Sequence, residues 1–299
     1  MKFSILISTK NRVEDLKITL RNIQSLIDKP NVECVVYDDG SNDETSIWVS
    51  QNFPKIKLLR NDISKGYMYC RNKMLNTTQA DFAISLDDDA HFLTSDVLEK
   101  IETHFNDFED CGVIAFRILW SKSTPDYITS NDKVENVKSF VGCGHAWRMK
   151  AWHEIPDYPE WFEFYGEENY ASLELIKNKW LVQYLPSILV QHRVELKKRT
   201  QTNKDFSFRY RRALRADWYN IFMFYPFSNA IKVFLYSNYM QIKKIFSGNF
   251  KILKPLILAK IDLVLNIPRV IKNRNSFSKS EFEVFKNLKE TKIFWEPNK

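Results

Sequence analysis

Strand-like and helix-like segments alternate through the first part of this 299-residue chain. Short apolar runs, typical of buried strands, occur at 3–8, 32–37, 56–60 and 81–86. Helix-like segments separate them, at 13–27, 43–52 and 66–78. Strands that alternate with helices pair in parallel, and the helices cover the faces of the sheet. The pattern therefore predicts an α/β fold with a mostly parallel central sheet, in which ligands bind beyond the carboxyl ends of the strands.

The fourth strand-like run ends in three consecutive aspartates, Asp87, Asp88 and Asp89. Alternate side chains of an extended backbone share a face, so we expect Asp87 and Asp89 to converge while Asp88 points away. Neighbouring carboxylates repel each other unless a cation or hydrogen-bond donors offset their charge. Carboxylate oxygens suit Mg²⁺ or Mn²⁺. The three acids therefore indicate either a divalent metal site or, more simply, a turn that leads into a helix cap.

Two further strand ends and one helix start are also polar. The first strand-like run ends in Ser8, Thr9, Lys10, Asn11 and Arg12. The second ends in Asp38, Asp39, Gly40 and Ser41. Gly66 precedes a helix that carries Arg71, which could reach a phosphate or stack on a base. Each polar strand end alone is compatible with an ordinary turn. These two ends and the triple aspartate, however, all lie at one edge of the predicted sheet, which favours a ligand site there.

Four of these segments resemble, in the same order, the nucleotide-sugar-binding half of the family 2 glycosyltransferases, which have the glycosyltransferase A fold. They are ILISTKNR, VVYDDGSND, GYMYCRN and SLDDDA. The donor-binding residues that the resemblance implies are Thr9, Arg12, Asp38, Asp39, Arg71, Asp87 and Asp88. Asp87 and Asp89 would lie at the family's Asp-x-Asp site, which engages the ribose and a divalent metal ion, Mn²⁺ or Mg²⁺.

The segment WFEFYGEENYASLELIKNKW carries the candidate catalytic base. Gly166 leads into a helix whose first turn holds Glu167 and Glu168, although acids are also common there because they complement the helix dipole. The segment resembles the family's Gly-Glu-Asp segment, whose Asp is the base, and Glu168 stands at that position. This chain departs from the pattern, since the Asp is a Glu and a further Asp is replaced by Tyr170. Glu167 is therefore the alternative base.

The resemblance also implies a donor-sugar and acceptor side of the site. The segment FVGCGHAWRMK resembles a glycine-containing segment of the family and places Gly144 and His145 there. Trp161 and Tyr165 offer flat aromatic surfaces for a sugar, although core packing explains aromatic residues equally well. His192 ends the second of two strand-like runs in WLVQYLPSILVQHRVE. It is a candidate third metal ligand, as in some relatives, or else a structural histidine.

Charge divides the chain into two parts. Residues 1–192 contain 21 basic and 29 acidic side chains, whereas residues 193–299 contain 23 and 8. Apolar residues recur at helical spacing from Phe227 to Phe246, and further helices are expected at 251–272 and 279–290. We therefore expect a catalytic domain over 1–195. A basic, amphipathic helical region over 196–299 would bind an anionic membrane surface or pack on that domain.

Cysteines and apolar runs bear on the location of the chain. Its four cysteines are widely spaced, which favours buried thiols in a reducing compartment over disulfides or a zinc site. The segment MKFSILISTKNR turns polar too early for a signal peptide, and no uncharged run is long enough to span a membrane. The sequence thus predicts a cytoplasmic protein, associated peripherally with the inner face of the cell membrane.

Together, these features predict an inverting, metal-dependent hexosyltransferase. The donor would be a nucleoside diphosphate sugar, with a UDP-sugar favoured over a GDP- or dTDP-sugar. The acceptor would be a hydroxyl of a glycan or a lipid-linked saccharide, in the assembly of a cell-surface polysaccharide. Inversion is implied by the resemblance, and the lack of a Gln-x-x-Arg-Trp motif argues against a processive polymerase.

Two alternative functions stay open. A nucleotidyltransferase acting on sugar phosphates would also place paired aspartates on Mg²⁺, but it gives the Gly-Glu-Glu segment no role. A basic nucleic-acid-binding protein would fit the charge of the C-terminal third. That region has no recognised readout motif, however, so we expect no specific nucleic-acid partner.

Overall fold

A mixed β-sheet organises the catalytic half of the molecule. The computed structural model describes residues 1–126, 128–194 and 203–292, so the predicted boundary between 195 and 196 lies outside the described residues. Within them the strands are Phe3–Thr9 (β1), Val32–Asp38 (β2), Lys57–Arg60 (β3), Phe82–Asp87 (β4), Ala90–Phe92 (β5), Cys111–Trp120 (β6), Glu135–Asn136 (β7), Gly144–Arg148 (β8) and Leu181–His192 (β9). The strand order is β3-β2-β1-β4-β8-β6-β9-β5, and β7 pairs with β9.

Helices cover the sheet and continue beyond it. In the first part of the chain they are Val13–Asn22 (α1), Gln24–Ile27 (α2), Thr45–Asn52 (α3), Tyr67–Thr77 (α4), Val97–Asp107 (α5), Met149–His153 (α6) and Glu167–Lys177 (α7). The C-terminal helices are Asn203–Phe224 (α8), Phe227–Phe246 (α9), Leu253–Lys272 (α10) and Lys279–Asn287 (α11). The prediction of an α/β fold with C-terminal helices is confirmed.

The parallel strands place the polar strand ends side by side. Strands β3, β2, β1 and β4 run in parallel. In their register Thr9 of β1 lies opposite Asp38 of β2, and Ser8 lies opposite Asp87 of β4. The carboxyl ends of these strands therefore form one continuous polar edge, as the β-α alternation predicts.

One strand replaces the two strand-like runs that precede His192. Strand β9 is continuous over twelve residues, but its pairing with β6 jumps from Leu185 to Leu189 between neighbouring partners. Pro186 lies at this irregularity, and proline has no N–H group for the ladder, so a bulge forms there without ending the strand.

The C-terminal helix α8 packs closely against the catalytic half. Its Trp218 and Tyr219 are fully buried, and the Tyr219 ring lies 4.9 Å from that of Trp161. Arg215 donates hydrogen bonds to the Phe162 carbonyl at 2.5 Å and to the Glu163 carboxylate at 2.9 Å. This contact makes α8 part of the core of the described structure.

Two further predictions concern cysteines and membrane spans. The cysteines at 34, 70, 111 and 143 are free, buried thiols, as predicted. In the described ranges, no helix combines the length and the apolar character that crossing a bilayer requires.

Candidate active site

The edge of the sheet beyond β4 carries a cluster of three potential metal ligands. One ligand atom each of Asp87, Asp89 and His192 lies within 4.8 Å of the other two. The Nε2 atom of His192 is 3.0 Å from Asp89 Oδ1 and 3.9 Å from Asp87 Oδ2. Asp89 and His192 are buried, whereas Asp87 is partly exposed. Two carboxylates and an imidazole on an accessible edge fit a hard divalent ion such as Mn²⁺.

Backbone pairing explains why a distant histidine joins the aspartates. His192 is the last residue of β9 and lies opposite Ala90 of β5 in an antiparallel register. Strand β4 ends at Asp87 and β5 begins at Ala90, so Asp88 and Asp89 occupy the turn between two strands. Asp87 and Asp89 therefore converge, as predicted, but a turn brings them together and not the alternation of one extended strand.

Asp88 points away from the metal cluster, as the sequence predicts. Its carboxylate accepts a hydrogen bond from Thr9 Oγ1 at 2.8 Å and forms an ion pair with Arg12 Nη1 at 3.0 Å. Burial raises the pKa of Asp88 to about 7. The other Arg12 nitrogen, Nη2, lies 2.7 Å from Asp89 Oδ2. Burial alone would raise the pKa of Asp89, but His192 and Arg12 hold it well below its usual range.

Asp38 and Asp39, which the resemblance assigned to the nucleotide, accept hydrogen bonds from neighbouring protein groups. Asp38 is fully buried and accepts hydrogen bonds from the Ser41 N–H at 2.8 Å and from Arg60 at 2.9 Å. Asp39 accepts four hydrogen bonds of 2.6–2.9 Å, from the side chains of Asn61 and Ser64 and the N–H groups of Lys65 and Gly66. Burial opposes ionisation of Asp39, yet these donors lower its pKa. Asp39 thus holds the loop that leads into α4, whereas Asp38 holds the start of the loop after β2 and the end of β3.

Arg71 connects the metal cluster to the glutamates of α7. Its guanidinium is buried and donates to Asp87 Oδ1 at 2.6 Å, to the Gly142 carbonyl at 3.0 Å and to Glu167 Oε1 at 3.3 Å. The sequence analysis expected Arg71 to contact the nucleotide. The structure places it beneath the polar edge, where it holds two carboxylates from different elements.

The two candidate bases, Glu167 and Glu168, have different surroundings. Glu167 is only 2% exposed and pairs with Arg71. Glu168 is partly exposed and lines a cavity of about 650 Å³ between α7 and the C-terminal helices. Burial and the adjacent Glu167 carboxylate raise the pKa of Glu168 well above its usual range. Glu168 is therefore the glutamate that an external ligand can reach.

Two glycines adjust the space around these groups. A Cβ atom on Gly142 would lie 2.3 Å from Glu168 Oε1 and 3.1 Å from Arg71 Nη1, so the missing side chain makes room for both. Gly166 precedes α7 with a φ of +86°, a conformation that favours glycine. A Cβ atom there would lie 2.6 Å from the Ala216 Cβ, which brings α8 against the start of α7.

The residues expected on the sugar side are less accessible than predicted. Gly144 packs against Val190, 3.2 Å from where its Cβ atom would lie. His145 is completely buried, its ring lies 4.4 Å from that of Phe140, and burial lowers its pKa far below the usual range. A fully buried imidazole has no direct access to a sugar, so His145 is better described as part of the core beneath the site.

The two aromatic residues expected at the sugar face the C-terminal helices. Trp161 is partly buried, and its ring lies 4.7 Å from that of Phe162, beside α8. Tyr165 accepts a hydrogen bond at its hydroxyl from Arg209 at 2.7 Å, and its N–H donates to the Tyr67 hydroxyl at 3.1 Å. These contacts give both residues a packing role between the two parts of the chain.

The sequence analysis missed the part that α8 plays in the Glu168 cavity. Asp217, Asn220 and Ile221 of this helix line the cavity, together with Tyr225 just after its end. Asn220 donates to the Gly166 carbonyl at 3.0 Å. No local motif marks these residues, because they lie about fifty positions from Glu168. The signal present was weak: Asp217 is one of two acids among the basic residues of this helix.

Comparison with known proteins places the described sheet in a known fold. The family model for Glycosyl transferase family 2 matches residues 4–159. No curated protein matches the chain. Among solved structures, TarS from S. aureus is 18% identical with a TM-score of 0.54, covering 71% of this chain and 38% of TarS. TarS 1–349 in complex with UDP-GlcNAc is 18% identical with a TM-score of 0.52, covering 71% of this chain and 65% of that structure.

A second kind of glycosyltransferase shares the fold. GalNAc-T7 with UDP, GalNAc and Mn²⁺ is 14% identical with a TM-score of 0.56, covering 72% of this chain and 47% of that structure. This chain thus spans between 38% and 65% of the length of these structures. At such identities the likeness shows the fold alone. Because the family model extends over just over half of the chain and includes the aspartate-bearing strand ends, the chain belongs to glycosyl transferase family 2, as its motifs predict.

Proposed function

We propose that this chain transfers a hexose from a nucleoside diphosphate sugar to a hydroxyl acceptor, with inversion at the anomeric carbon. The observation that carries the proposal is the Arg71 bridge, which spans from Asp87 of the metal cluster at 2.6 Å to Glu167 at 3.3 Å. The Arg71 guanidinium thus holds the metal cluster on one side and the glutamate pair, Glu167 and Glu168, on the other. A single displacement needs this arrangement, with a base for the attacking oxygen on one side and positive charge for the leaving diphosphate on the other.

Asp87, Asp89 and His192 would hold the divalent ion, whose charge would stabilise the departing diphosphate. Arg12 lies 2.7 Å from Asp89 and is 41% exposed, so its guanidinium can turn towards a phosphate. Glu168 would accept the proton of the acceptor hydroxyl as that oxygen attacks. Its raised pKa suits this role, because a base is most effective when its pKa is near the working pH.

The solved neighbours support a UDP-sugar donor and Mn²⁺, since TarS is seen with UDP and UDP-GlcNAc and GalNAc-T7 with UDP and Mn²⁺. We expect UDP-sugars with Mn²⁺ to raise the melting temperature of this protein more than GDP- or dTDP-sugars do, because a ligand that binds only the folded state stabilises it. Thermal-shift measurements with each donor, with Mn²⁺ or with EDTA, test this. Equal shifts from all donors, or from none, would argue against a UDP-sugar.

The outer helices support a peripheral position at an anionic membrane surface, the site of a lipid-linked acceptor. The residues that α9 buries include Asn238 and Gln241, and α10 buries Asp262, which pairs with Arg211 at 2.5 Å. Helix α10 also buries Leu256 and Val270. Many large apolar side chains of both helices are nevertheless exposed: Phe227, Leu235, Tyr236, Ile242, Phe246, Ile257, Val264, Leu265 and Ile271. A helix that only packs on a core has the opposite polarity.

Basic side chains flank this exposed apolar surface. They are Lys232, Lys243, Lys244, Lys254, Lys260, Arg269 and Lys272, all exposed. Each basic residue close to an anionic bilayer contributes about 1 kcal/mol to the free energy of membrane binding. The apolar side chains add the free energy of their burial among the headgroups. The combination supports a role for this protein in assembling a cell-surface polysaccharide on a lipid-linked acceptor.

We expect the protein to co-sediment with vesicles that contain phosphatidylglycerol, but not with pure phosphatidylcholine, and to be released as salt screens the charges. The variant Leu235→Ser/Phe246→Ser should lose binding without loss of stability, because both side chains are exposed. Ile63→Ser, at an equally exposed site in the β3–α4 loop, is the matched control. Point variants are preferable to truncation, since α8 belongs to the core. Wild-type protein that stays in the supernatant at low salt would exclude membrane docking.

A further inference from the structure

The cavity beside Glu168 is closed on one side by the C-terminal helices. It is lined by α7, α8 and α9, with Asp217 and Asn220 of α8 and Ser237 of α9 among its polar residues. The family model ends at residue 159, before all of these elements. The wall formed by these helices therefore lies outside the matched segment, whereas Lys138 and Phe140, which also line the cavity, lie within it.

Two acceptor groups in this cavity have no partner in the described parts of the chain. Asn220 is 4% exposed, and its Nδ2 donates to the Gly166 carbonyl, which leaves Oδ1 buried without a hydrogen bond. The Asp217 carboxylate forms no hydrogen bond or ion pair with any described residue, whereas Asp262 on the facing α10 is paired twice with arginines. Asp217 is open to solvent in the cavity, yet the protein around it raises its pKa to about 6 by desolvation. A buried amide oxygen without a donor is costly, and an exposed carboxylate without a partner is available to accept hydrogen bonds. Both groups therefore indicate a ligand that supplies donors.

The charges of the cavity restrict that ligand further. Among the described residues that line it, Lys138 is the only cation, and it pairs with Glu290. The described lining of the cavity therefore offers no unpaired cation, and the Asp217 carboxylate, which is ionised at neutral pH, disfavours phosphate and carboxylate groups there. The remaining walls include Phe140, Ile221 and Tyr225. Apolar and aromatic walls with several hydrogen-bond acceptors suit a sugar ring, which has apolar faces and hydroxyl donors at its edges.

We propose that Asp217 and Asn220 form the binding site for the acceptor's terminal sugar, and that this sugar is uncharged. The inference rests on the proposed function, because it assigns the acceptor to the cavity of Glu168. Asp217 and Asn220 accept hydrogen bonds from ring hydroxyls that do not react, and so orient the reacting hydroxyl towards Glu168. They are positioning residues that determine acceptor specificity.

Binding of simple glycosides tests the proposal without any turnover. Saturation-transfer NMR in the presence of UDP and Mg²⁺ would compare neutral p-nitrophenyl hexosides with the corresponding p-nitrophenyl uronides. We expect wild-type protein to bind at least one neutral hexoside and to bind its uronide about tenfold more weakly or worse, as one like-charge contact implies. Asp217→Asn should lower the affinity for the neutral hexoside about tenfold, the loss expected for a hydrogen bond to a charged group. It should also reduce the difference between the affinities for the hexoside and for the uronide.

Glu283→Gln is the matched control, since Glu283 is an exposed acid of α11 that does not line the cavity. The substitution should change the affinity for neither glycoside. Thermal shift with the UDP-sugar runs in parallel. If Asp217→Asn weakens glycoside binding while no nucleotide sugar binds, the sugar site stands and the donor assignment fails. If donors bind but no hexoside does, or the uronide binds as well as the hexoside, or Asp217→Asn behaves as wild type, the proposed sugar site is wrong.

Discussion

Replacing Glu168 by glutamine is expected to slow sugar transfer about a hundredfold or more while leaving donor affinity unchanged. The amide has nearly the shape of the carboxylate but cannot accept the proton of the acceptor hydroxyl. Glu168 is the glutamate that lines the cavity, and a Cβ atom on Gly142 would lie 2.3 Å from its Oε1. Steady-state kinetics, together with a separate measurement of nucleotide-sugar binding, would show whether the turnover number falls alone.

The pH dependence gives a second readout of the same assignment. Burial and Glu167 raise the pKa of Glu168, and only the ionised form can act as a base. The rate should therefore fall as pH drops through this raised pKa, and reach a plateau above it. In Glu168→Gln the residual rate should not show this fall at low pH. A pH profile that is the same in both proteins would remove Glu168 from the reaction.

Glu167→Gln is the informative comparison, because it changes the neighbouring residue in the same way. Glu167 is buried and pairs with Arg71 at 3.3 Å. Removing its negative charge should therefore disturb the contacts of Arg71 and lower the free energy of unfolding. If Glu168→Gln stays active while Glu167→Gln is inactive at unchanged stability, the base lies one residue earlier than proposed.

The fold was predictable where a local pattern determines the structure. The apolar runs and helical stripes of residues 3–86 place β1 to β4 and their helices, because each element needs only its own periodicity and the β-α order then fixes parallel pairing. The same order predicts that Thr9, Asp38 and Asp87 meet at one edge, and the strand register confirms it.

The roles of individual polar residues were less predictable, because a carboxylate at a strand end can bind a ligand or its own loop. Asp39 accepts four hydrogen bonds from the segment 61–66. The sequence cannot reveal these bonds, because no local pattern indicates that this loop lies beside Asp39. His145 shows the same limit. A histidine between two glycines resembles a site residue, yet the register of β8 with β4 places it opposite Ser85 and inside the core.

The outer helices show a different limit of sequence reasoning. Periodicity identifies the apolar stripe of α9, but it does not state whether the stripe faces the protein or the surroundings. The answer depends on Asn238 and Gln241, which are buried, and on partners far along the chain, such as Arg211 for Asp262. For the same reason Asp217 could not be connected with Glu168 before both were placed around one cavity.

The metal cluster leads to the second large effect, which we expect from Asp89→Ala. Asp89 is 1% exposed, lies 3.0 Å from His192 and is the most enclosed of the three candidate ligands. Its removal should abolish transfer and the Mn²⁺-dependent part of nucleotide-sugar binding, and EDTA should do the same to wild-type protein. Asp87→Ala should have the same effect on transfer and on Mn²⁺-dependent binding, although Asp87 also pairs with Arg71.

The Asp89→Ala substitution should lower stability, because it removes the contacts with Arg12 and His192 that hold the pKa of Asp89 low. The fold should survive, since Asp88 still pairs with Arg12 at 3.0 Å. Calorimetric titration of Mn²⁺, with circular dichroism to follow unfolding, separates loss of the ion from loss of structure. Asp96→Asn is the matched control, because it neutralises an exposed carboxylate seven residues further on. Full activity in EDTA, with Asp89→Ala as active as wild type, would show that Asp87, Asp89 and His192 are held together for structural reasons. The charge on the leaving diphosphate would then be neutralised by another group, such as Arg12, which pairs with Asp89 at 2.7 Å and is partly exposed.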